Sequence, residues 1–556
     1  MLLNGSQILI ETLIEQGTET VFGYPGGAVL NIYDELYKSS DRIHHIISAH
    51  EQGAVHAAEG FARASGKVGV VIATSGPGAT NLVTGIANAY LDSTPIVAIT
   101  GNVPHSLIGK DSFQEVDIKG ITMPITKHNF QVGSTEELAD TIRRAFKIAS
   151  SGRPGPVLID IPKDVQIGTT EFTPASMVEK SPMPYAKETD IDAAVKMIKE
   201  AKKPYIFCGG GVIAASAGRE IAALAEVIDA PIGFSMMGLS AIPTSSERTL
   251  GMVGMHGHYA ATKSLYASDL ILALGIRFSD RATGDKKRFA SGAKIIHIDI
   301  DTAELNKNIP CHLGITADVK ETVTRLLEKL TPATHPEWKE EVAKHVAYEN
   351  EHQYIPAGTL NPYQVIDKVS EYVNNDTPIA TDVGQHQMWA AQRCKLEEPR
   401  TFITSGGLGT MGFGMGAAIG ACVATGKKTV LYTGDGSFGM NLNEMATAVS
   451  QNLPLVIMLM NNGVLGMVRQ WQTLFFGQRY SQTTLNRKTD FVALAKAFGA
   501  DAYRAADMES LDEALKQAFA ANGPVLIECM IDRDEMVMPM IPANGTVTDI
   551  LVNIRN

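Results

Sequence analysis

A chain of 556 residues, 45% hydrophobic and 19% charged, is too long for one hydrophobic core and calls for about three or four domains. A net charge of −12 and the lack of any Lys/Arg run exclude general nucleic-acid binding, and no stretch has the ~18 unbroken apolar residues of a membrane span. Cys208, Cys311, Cys394, Cys422 and Cys529 are scattered with no Cys-x-x-Cys, so neither a zinc site nor a disulfide framework is expected; a cytoplasmic location and no leader segment at Met1–Gln7 are.

Residues 4 to about 185 alternate strand and helix patterns. Gln7–Gln16 reads as an amphipathic helix and Thr20–Gly23 as a strand. His45–Ser48 runs straight into a helix His50–Arg63. Val68–Thr74, Pro95–Thr100 and Pro156–Ile161 are further apolar strands. Glu171–Thr189 is polar and Pro-rich and reads as a linker. A second α/β unit follows, with strands Tyr205–Cys208, Leu270–Leu274 and Lys294–Asp299 and a helix Lys320–Leu330. Thr331–Pro362 reads as a second linker, partly helical. The third unit begins at Asn361 with strands Lys428–Thr433, Leu453–Met460 and Val525–Cys529 and a helix Ser437–Ser450. The tail from Met536 looks irregular. Apolar strands alternating with helices predict an α/β protein of three doubly wound parallel-sheet domains, at 1–185, 186–335 and 360–535, with a tail 536–556.

The most informative stretch is Gly434-Asp435-Gly436, a gap of 24 residues, then Asn461-Asn462. Gly-Asp-Gly alone is an ordinary turn. Here Asp435 and Asn462 each end a strand, and such ends converge at one edge of a parallel sheet. Two oxygen ligands beside a diphosphate suit Mg²⁺. Glu51 stands in the first turn of a helix, where a carboxylate also simply suits the helix dipole. Gly23–Ala28 follows a strand; it is either a plain turn or a loop whose Gly27 amide can face a reacting carbonyl. Gly407-x-Gly409-x-x-Gly412 matches a dinucleotide fingerprint but lacks its acidic residue, and reads as a helix start. Thr381–His386 is a strand-end loop. Gly209-Gly210-Gly211, Gly254–Gly257 and Gly275–Gly284 are either common turns or a site for a phosphate-bearing ligand.

The Gly434–Asn462 stretch resembles the diphosphate-binding signature of thiamine-diphosphate (ThDP) enzymes. From about residue 2 to 545 the chain is similar to the catalytic large subunit of the acetohydroxyacid (acetolactate) synthase family. The likeness rests on Gly23–Ala28, Ala49–Gly53, Thr74–Thr80, Phe113–Glu115, Arg153–Pro156, Ile161–Asp164, Gly254–Gly257, Arg277–Arg281, Gly407–Gly414, Gly434–Phe438 and Met467–Trp471. Many members have Asp where this chain has Ser279. The resemblance implies pyrimidine-binding, central FAD-binding and diphosphate-binding domains, in that order. Asp435, Asn462 and the Val464 carbonyl would hold Mg²⁺. Pro25, Glu51, Val383, Gly384, Gln385, His386, Gly409, Met411, Gly436 and Ser437 would contact ThDP, Glu51 at the pyrimidine and Met411 as a wedge. FAD would be structural, on Arg153, Gly209, Gly210, Gly211, Gly254, Met255, His256, Gly275, Arg277, Asp280, Arg281, Asp299, Ile300 and Asp318.

The implied reaction is decarboxylation of pyruvate and ligation of its two-carbon unit to a second 2-ketoacid. Pyruvate gives 2-acetolactate and 2-ketobutyrate gives 2-aceto-2-hydroxybutyrate, the first common step of branched-chain amino-acid biosynthesis. Arg281 would take the second carboxylate, with Phe113, Gln114 and Lys163 lining the funnel and Met467 and Trp471 near the reacting centre. Trp471, otherwise an ordinary core ring, would favour the extra methylene of 2-ketobutyrate. The family implies a homodimer or homotetramer with sites between chains, and a small regulatory subunit. A simple ThDP decarboxylase, a fermentative synthase without FAD and an NAD-linked oxidoreductase are the rival readings.

Overall fold

The computed structural model describes residues 1–354, 358 and 360–553. Three six-stranded sheets carry the chain, and every neighbouring strand pair in them is parallel. In the first the spatial order is His44–Ile47, Thr20–Tyr24, Gly69–Ala73, Ile96–Asn102, Val157–Pro162, His128–Gln131. In the second it is Thr249–Met252, Ile232–Phe234, Pro204–Cys208, Leu270–Leu274, Lys294–Asp299, Leu313–Thr316. In the third it is Phe402–Ile403, Ile379–Thr381, Thr429–Gly434, Leu455–Asn461, Val525–Met530, Asp501–Ala505. Strands such as Gly69–Ala73 and Leu270–Leu274 are buried at every residue, which explains their unbroken apolar runs.

Each sheet reverses direction after its first strand, and the reversal opens a crevice at the carboxyl edge. In the first sheet that switch lies between Thr20–Tyr24 and Gly69–Ala73. In the second it lies between Pro204–Cys208 and Leu270–Leu274, and in the third between Ile379–Thr381 and Thr429–Gly434. The loops at Gly23, Gly209, Gly275, Thr381 and Gly434 thus fall at the crevices by topology alone.

The first and third units share one apolar core. Helix Glu51–Ser65 lies backbone-to-backbone on helix Phe413–Thr425. A Cβ at Gly60 would stand 2.0 Å from the Ala417 carbonyl oxygen, and one at Gly420 would stand 1.9 Å from that of Ala57, so both contacts require glycine.

Several elements differ from the pattern-based expectation. Leu2–Asn4 pairs antiparallel with Thr169–Glu171, closing the first unit on itself. The second linker is no free connection. Helix Pro336–Glu351 packs on the middle unit, where Trp338 is buried and donates from Nε1 to the Pro204 carbonyl at 3.0 Å. One buried ring on an otherwise exposed helix leaves little trace in periodicity. Within that stretch, residues 355–357 and 359 lie outside the described part. Helix Ser437–Ser450 is broken into Asp435–Asn441, a 3₁₀ turn Leu442–Glu444, and Met445–Ser450. The break serves polar contacts: Asn441 Nδ2 donates to the Gly412 carbonyl at 2.9 Å, and Glu444 accepts the amides of Ala49 and His50. The described tail is irregular, as expected, but tied down: Ile541 N donates to the Met255 carbonyl and Trp389 Nε1 to that of Met536. Among the described residues no helix is long and apolar enough to cross a membrane.

Candidate active site

Asp435 opens the helix that leaves strand Thr429–Gly434 at the switch point of the third sheet. It is 5% exposed, and burial pushes its carboxyl up to about 6 against the pull of nearby backbone amides. Among the described residues it forms no ion pair, and the Arg487 charge offsets its burial only weakly. A buried carboxylate left without an ion-pair partner fits a metal ligand. Asn462 sits at the end of the adjacent strand; its Oδ1 accepts the Val464 amide at 3.1 Å, and Gly463 turns the chain at φ +66°. Segments 463–465 and 483–485 then pair across the site. No cluster of three or more His, Cys, Asp or Glu side chains among the described residues could hold a metal, so a cation here needs amide and carbonyl oxygens, or a ligand's own.

On the other lip lies the 382–386 loop. Asp382 ties this loop to the glycine-rich one: its Oδ1 accepts the amides of Val383 at 2.8 Å and Gly412 at 2.8 Å, and burial pushes its carboxyl up to about 6. His386 is buried, held neutral with its pKa pushed down to about 3, and its Nε2 has no partner. The Gln385 amide is committed inside the protein, donating to Gln470 Oε1 at 3.1 Å and the Glu535 carbonyl at 2.8 Å. Of the two, His386 has the polar atom to spare. Gly436 and Ser437 are buried in the first turn after Asp435, where Ser437 Oγ accepts the Gly434 amide.

A continuous cavity of about 1820 Å³ joins this region to the middle unit. Val383, Gly384, Gly409, Met411, Met467 and Trp471 line one end, with the Trp471 ring 5.3 Å from that of Phe475. Arg153, Gly210, Gly211, Met255, His256, Gly275, Arg277, Asp280, Arg281, Asp299, Ile300 and Asp318 line the other. Gly209 and Gly211 are required by the fold itself: the Gly209 amide bonds the Leu274 carbonyl, and a Cβ there would lie 2.1 Å from the Gly275 oxygen. Gly254, φ +114°, is pressed against the Arg281 carbonyl in the same way. Arg153 is engaged by Glu304 at 2.6 Å and by Ser93, and Asp318 caps helix Val319–Lys329. Burial lowers the Arg277 pKa, with Arg153 adding to it; burial holds His256 near 4 and raises Asp299 to about 6. His256 Nδ1 has no partner. These leftover polar groups in so large a cavity fit a big polar-and-aromatic ligand. Arg281 is exposed, its Nη1 touching only Met255 Sδ at 3.8 Å among its side-chain hydrogen bonds.

The first-unit residues stand elsewhere. Glu51 is buried and accepts Asn81 Nδ2 at 2.9 Å. Beside it lies Tyr33, whose hydroxyl meets His45 Nε2 at 3.0 Å; burial, with the Glu51 charge adding, raises the phenol's pKa, while burial pushes His45 down to about 4. Gly27 has open space at its Cβ position, Pro25 is half-buried beside it, Phe113 is 87% exposed, Gln114 takes φ +57°, and Lys163 is exposed. None of these lines the large cavity. One chain's cavity therefore brings Val383, Met411 and Trp471 together with the middle-unit groups, and Glu51, Gly27, Phe113, Gln114 and Lys163 lie outside its lining, as do Asp435, Asn462, Val464 and His386. Sequence reasoning missed Asn81, Asp382, Asn441 and Glu444. Of these only Asp382, at a strand end, carried a readable signal.

Three parallel α/β sheets with buried Asp435 next to Asn462 at the third switch point go with a match to the thiamine pyrophosphate enzymes. The matching family profiles are the N-terminal TPP binding domain of thiamine pyrophosphate enzymes over residues 3–121, their central domain over 191–326, and their C-terminal TPP binding domain over 382–529. The chain is 46% identical over 574 residues to a probable acetolactate synthase large subunit of Methanocaldococcus jannaschii, covering all of this chain and 96% of that one. It is 46% identical to the acetolactate synthase large subunit of Corynebacterium glutamicum (99% and 90% covered). It is 44% identical to the acetolactate synthase isozyme 2 large subunit of Escherichia coli K12 (99% of each). The chain belongs to the acetolactate synthase large-subunit family.

Proposed function

We propose that the chain is the catalytic large subunit of an acetolactate synthase, joining the two-carbon unit of pyruvate to pyruvate or to 2-ketobutyrate. The observation that carries the reading is Asp435: a buried carboxylate with no ion pair among the described residues, at a switch point, one strand from Asn462. Asp435, the Asn462 side chain and the Val464 carbonyl would hold Mg²⁺, and the unpartnered His386 nitrogen would serve the diphosphate. ThDP, when bound, supplies the electron sink that decarboxylation and carbon–carbon bond formation need. The protein's own work is to bind, orient and exclude water. Glu51 would hold the proton at the pyrimidine, Met411 would pack against the bound cofactor, and the Gly27 amide would donate to the reacting carbonyl oxygen. Arg281, exposed and without an ion pair among the described residues, receives the carboxylate of the second ketoacid.

FAD would occupy the middle-unit end of the cavity, where Arg277, His256 and the turn at Gly210 remain for it; ligation without net redox makes its role structural. In this reading a second copy of the chain completes the site by bringing its Glu51 and Gly27, which do not line the cavity that Met411 and Trp471 line. A smaller regulatory subunit fits the "large subunit" relatives, and a cytoplasmic location fits five unpaired cysteines. The test is acetolactate formation from pyruvate, with ThDP, Mg²⁺ and FAD omitted in turn. Loss on omitting each supports the whole reading. Activity retained without flavin in a flavin-free preparation removes FAD from it, and no product with all three present refutes it.

A further inference from the structure

A polar network whose acidic and amide side chains are buried lies between the helix that bears Glu51 and the loop that leads to Met411. Glu59, two turns beyond Glu51, meets His56 Nδ1 at 2.9 Å and accepts Asn88 Nδ2 at 2.7 Å. Asn88 turns its Oδ1 to the third unit, accepting the hydroxyls of Ser405 at 2.5 Å and Thr410 at 3.0 Å. Asp92, the cap of helix Val83–Leu91, accepts the amides of Gly406 at 3.1 Å and Gly407 at 2.7 Å. Arg63 closes the circuit: it donates to Asp92 at 2.8 Å and to the Thr404 carbonyl, and lies over the Phe413 ring. The Glu59, Asn88 and Asp92 side chains are wholly buried.

The loop they hold has few handles of its own. Gly406, Gly407 and Gly409 carry no side chain, and Gly409 takes φ +70°. Glycine loses more conformational freedom on ordering than any other residue, so such a loop stays in place only if its main-chain groups are bonded. Within the third unit, Gln387 donates to the Ser405 carbonyl, and the Thr410 amide donates to Ser405 Oγ. The bonds to Gly406 and Gly407 come from the first unit. Gly407 is also glycine for this contact, since a Cβ there would lie 2.8 Å from Asp92 Oδ1.

We infer that Asn88 and Asp92 are positioning residues: through them the first unit sets the loop that presents Gly409 and Met411 to ThDP in the same chain. This rests on the reading of the third-unit site as the ThDP site. A pre-set loop lets the cofactor bind without freezing those glycines itself, so loss of the clamp weakens cofactor binding more than the chemistry that follows.

The test uses the full-length protein with ThDP and Mg²⁺ as probe, read by tryptophan fluorescence titration, by the thermal shift on cofactor addition, and by kinetics at saturating cofactor. Asp92→Asn leaves one acceptor oxygen for three donors, so either the Gly407 amide, or the Gly406 amide together with Arg63, faces an N–H instead; the cofactor dissociation constant should rise about tenfold. Ser405→Ala removes one hydroxyl between Asn88 and the Thr410 amide without leaving a buried charge; it should raise the constant about threefold, with only a small fall in the cofactor-free melting point from the unpaired Thr410 amide and kcat within about twofold. Restoring the hydroxyl as Ser405→Thr should recover part of the loss. Cofactor affinity at the parental value in Ser405→Ala, or a fall in kcat with unchanged affinity, overturns the inference. If Asp92→Asn does not fold, Ser405→Ala decides. If the parent protein itself neither binds ThDP nor shifts its melting point, the reading of the site fails, and the inference with it.

Discussion

Asp435→Asn should make the metal-free protein more stable, not less. Burial moves this carboxyl from an ordinary 3.8 to about 6. At 1.36 kcal/mol per pKa unit, keeping the charge at pH 8 costs the metal-free fold up to about 3 kcal/mol. The folded pKa lies above the unfolded one, so the group favours folding only while protonated; that contribution is complete below about pH 3.8 and lost as pH rises through about 6. Asparagine cannot ionise and is spared the cost. In chelator, the unfolding midpoint of the variant should therefore exceed the parent's at pH 8, and the gap should close as pH falls towards 4. With Mg²⁺ and ThDP at a hundred times their dissociation constants, the parent should gain about 2.7 kcal/mol and the variant much less, reversing the order. A variant less stable than the parent in chelator at pH 8 would show that the backbone amides around Asp435 already satisfy its charge. The metal reading would then lose its basis.

Glu51→Gln keeps the shape of a group that must ionise, and turnover should fall about 10²- to 10⁴-fold with ThDP still bound by titration; near-normal turnover sinks the assignment. Trp471→Leu should bring the product ratio in a pyruvate/2-ketobutyrate competition towards unity, a change of about 10- to 200-fold, while acetolactate formation persists; an unmoved ratio makes Trp471 a packing residue. Trp338→Ala should destabilise the middle unit by about 3–5 kcal/mol in urea without altering that ratio, and a loss under about 1 kcal/mol would make helix Pro336–Glu351 peripheral. The pure single chain should resist valine at concentrations that inhibit an extract; equal inhibition would place the regulatory site on this chain.

The fold was legible wherever strands are buried on both faces. Leu270–Leu274 and Lys294–Asp299 agree to the residue with their apolar runs. Strands that carry polar or glycine positions were not legible: His128–Gln131, Ile232–Phe234, Thr249–Met252 and Leu313–Thr316 are short or half-exposed, and their place is set by neighbours rather than by pattern. Helix Pro336–Glu351 failed for the opposite reason: its charge suggested a solvated linker, and a single indole anchors it.

The site was legible in another way. Groups that act on a ligand are restricted by chemistry to a few residue types, so Asp435, Asn462 and Glu51 stand out once strand ends are located. The groups that hold them in place are restricted only by contact. Glu444 is one helix residue among many until its carboxylate is found on the Ala49 and His50 amides, 394 residues from His50. Gly53 is glycine because that carboxylate fills its Cβ position, at 2.0 Å. The same contact fixes the segment that delivers Glu51, so the third unit positions a first-unit residue just as Asp92 of the first unit positions a third-unit loop. Neither unit can shift without moving the other's contribution. Helices Glu51–Ser65 and Phe413–Thr425, pressed together at Gly60 and Gly420, complete that mutual hold, so in the proposed reading each chain keeps Glu51 and the 406–411 loop in a fixed relation.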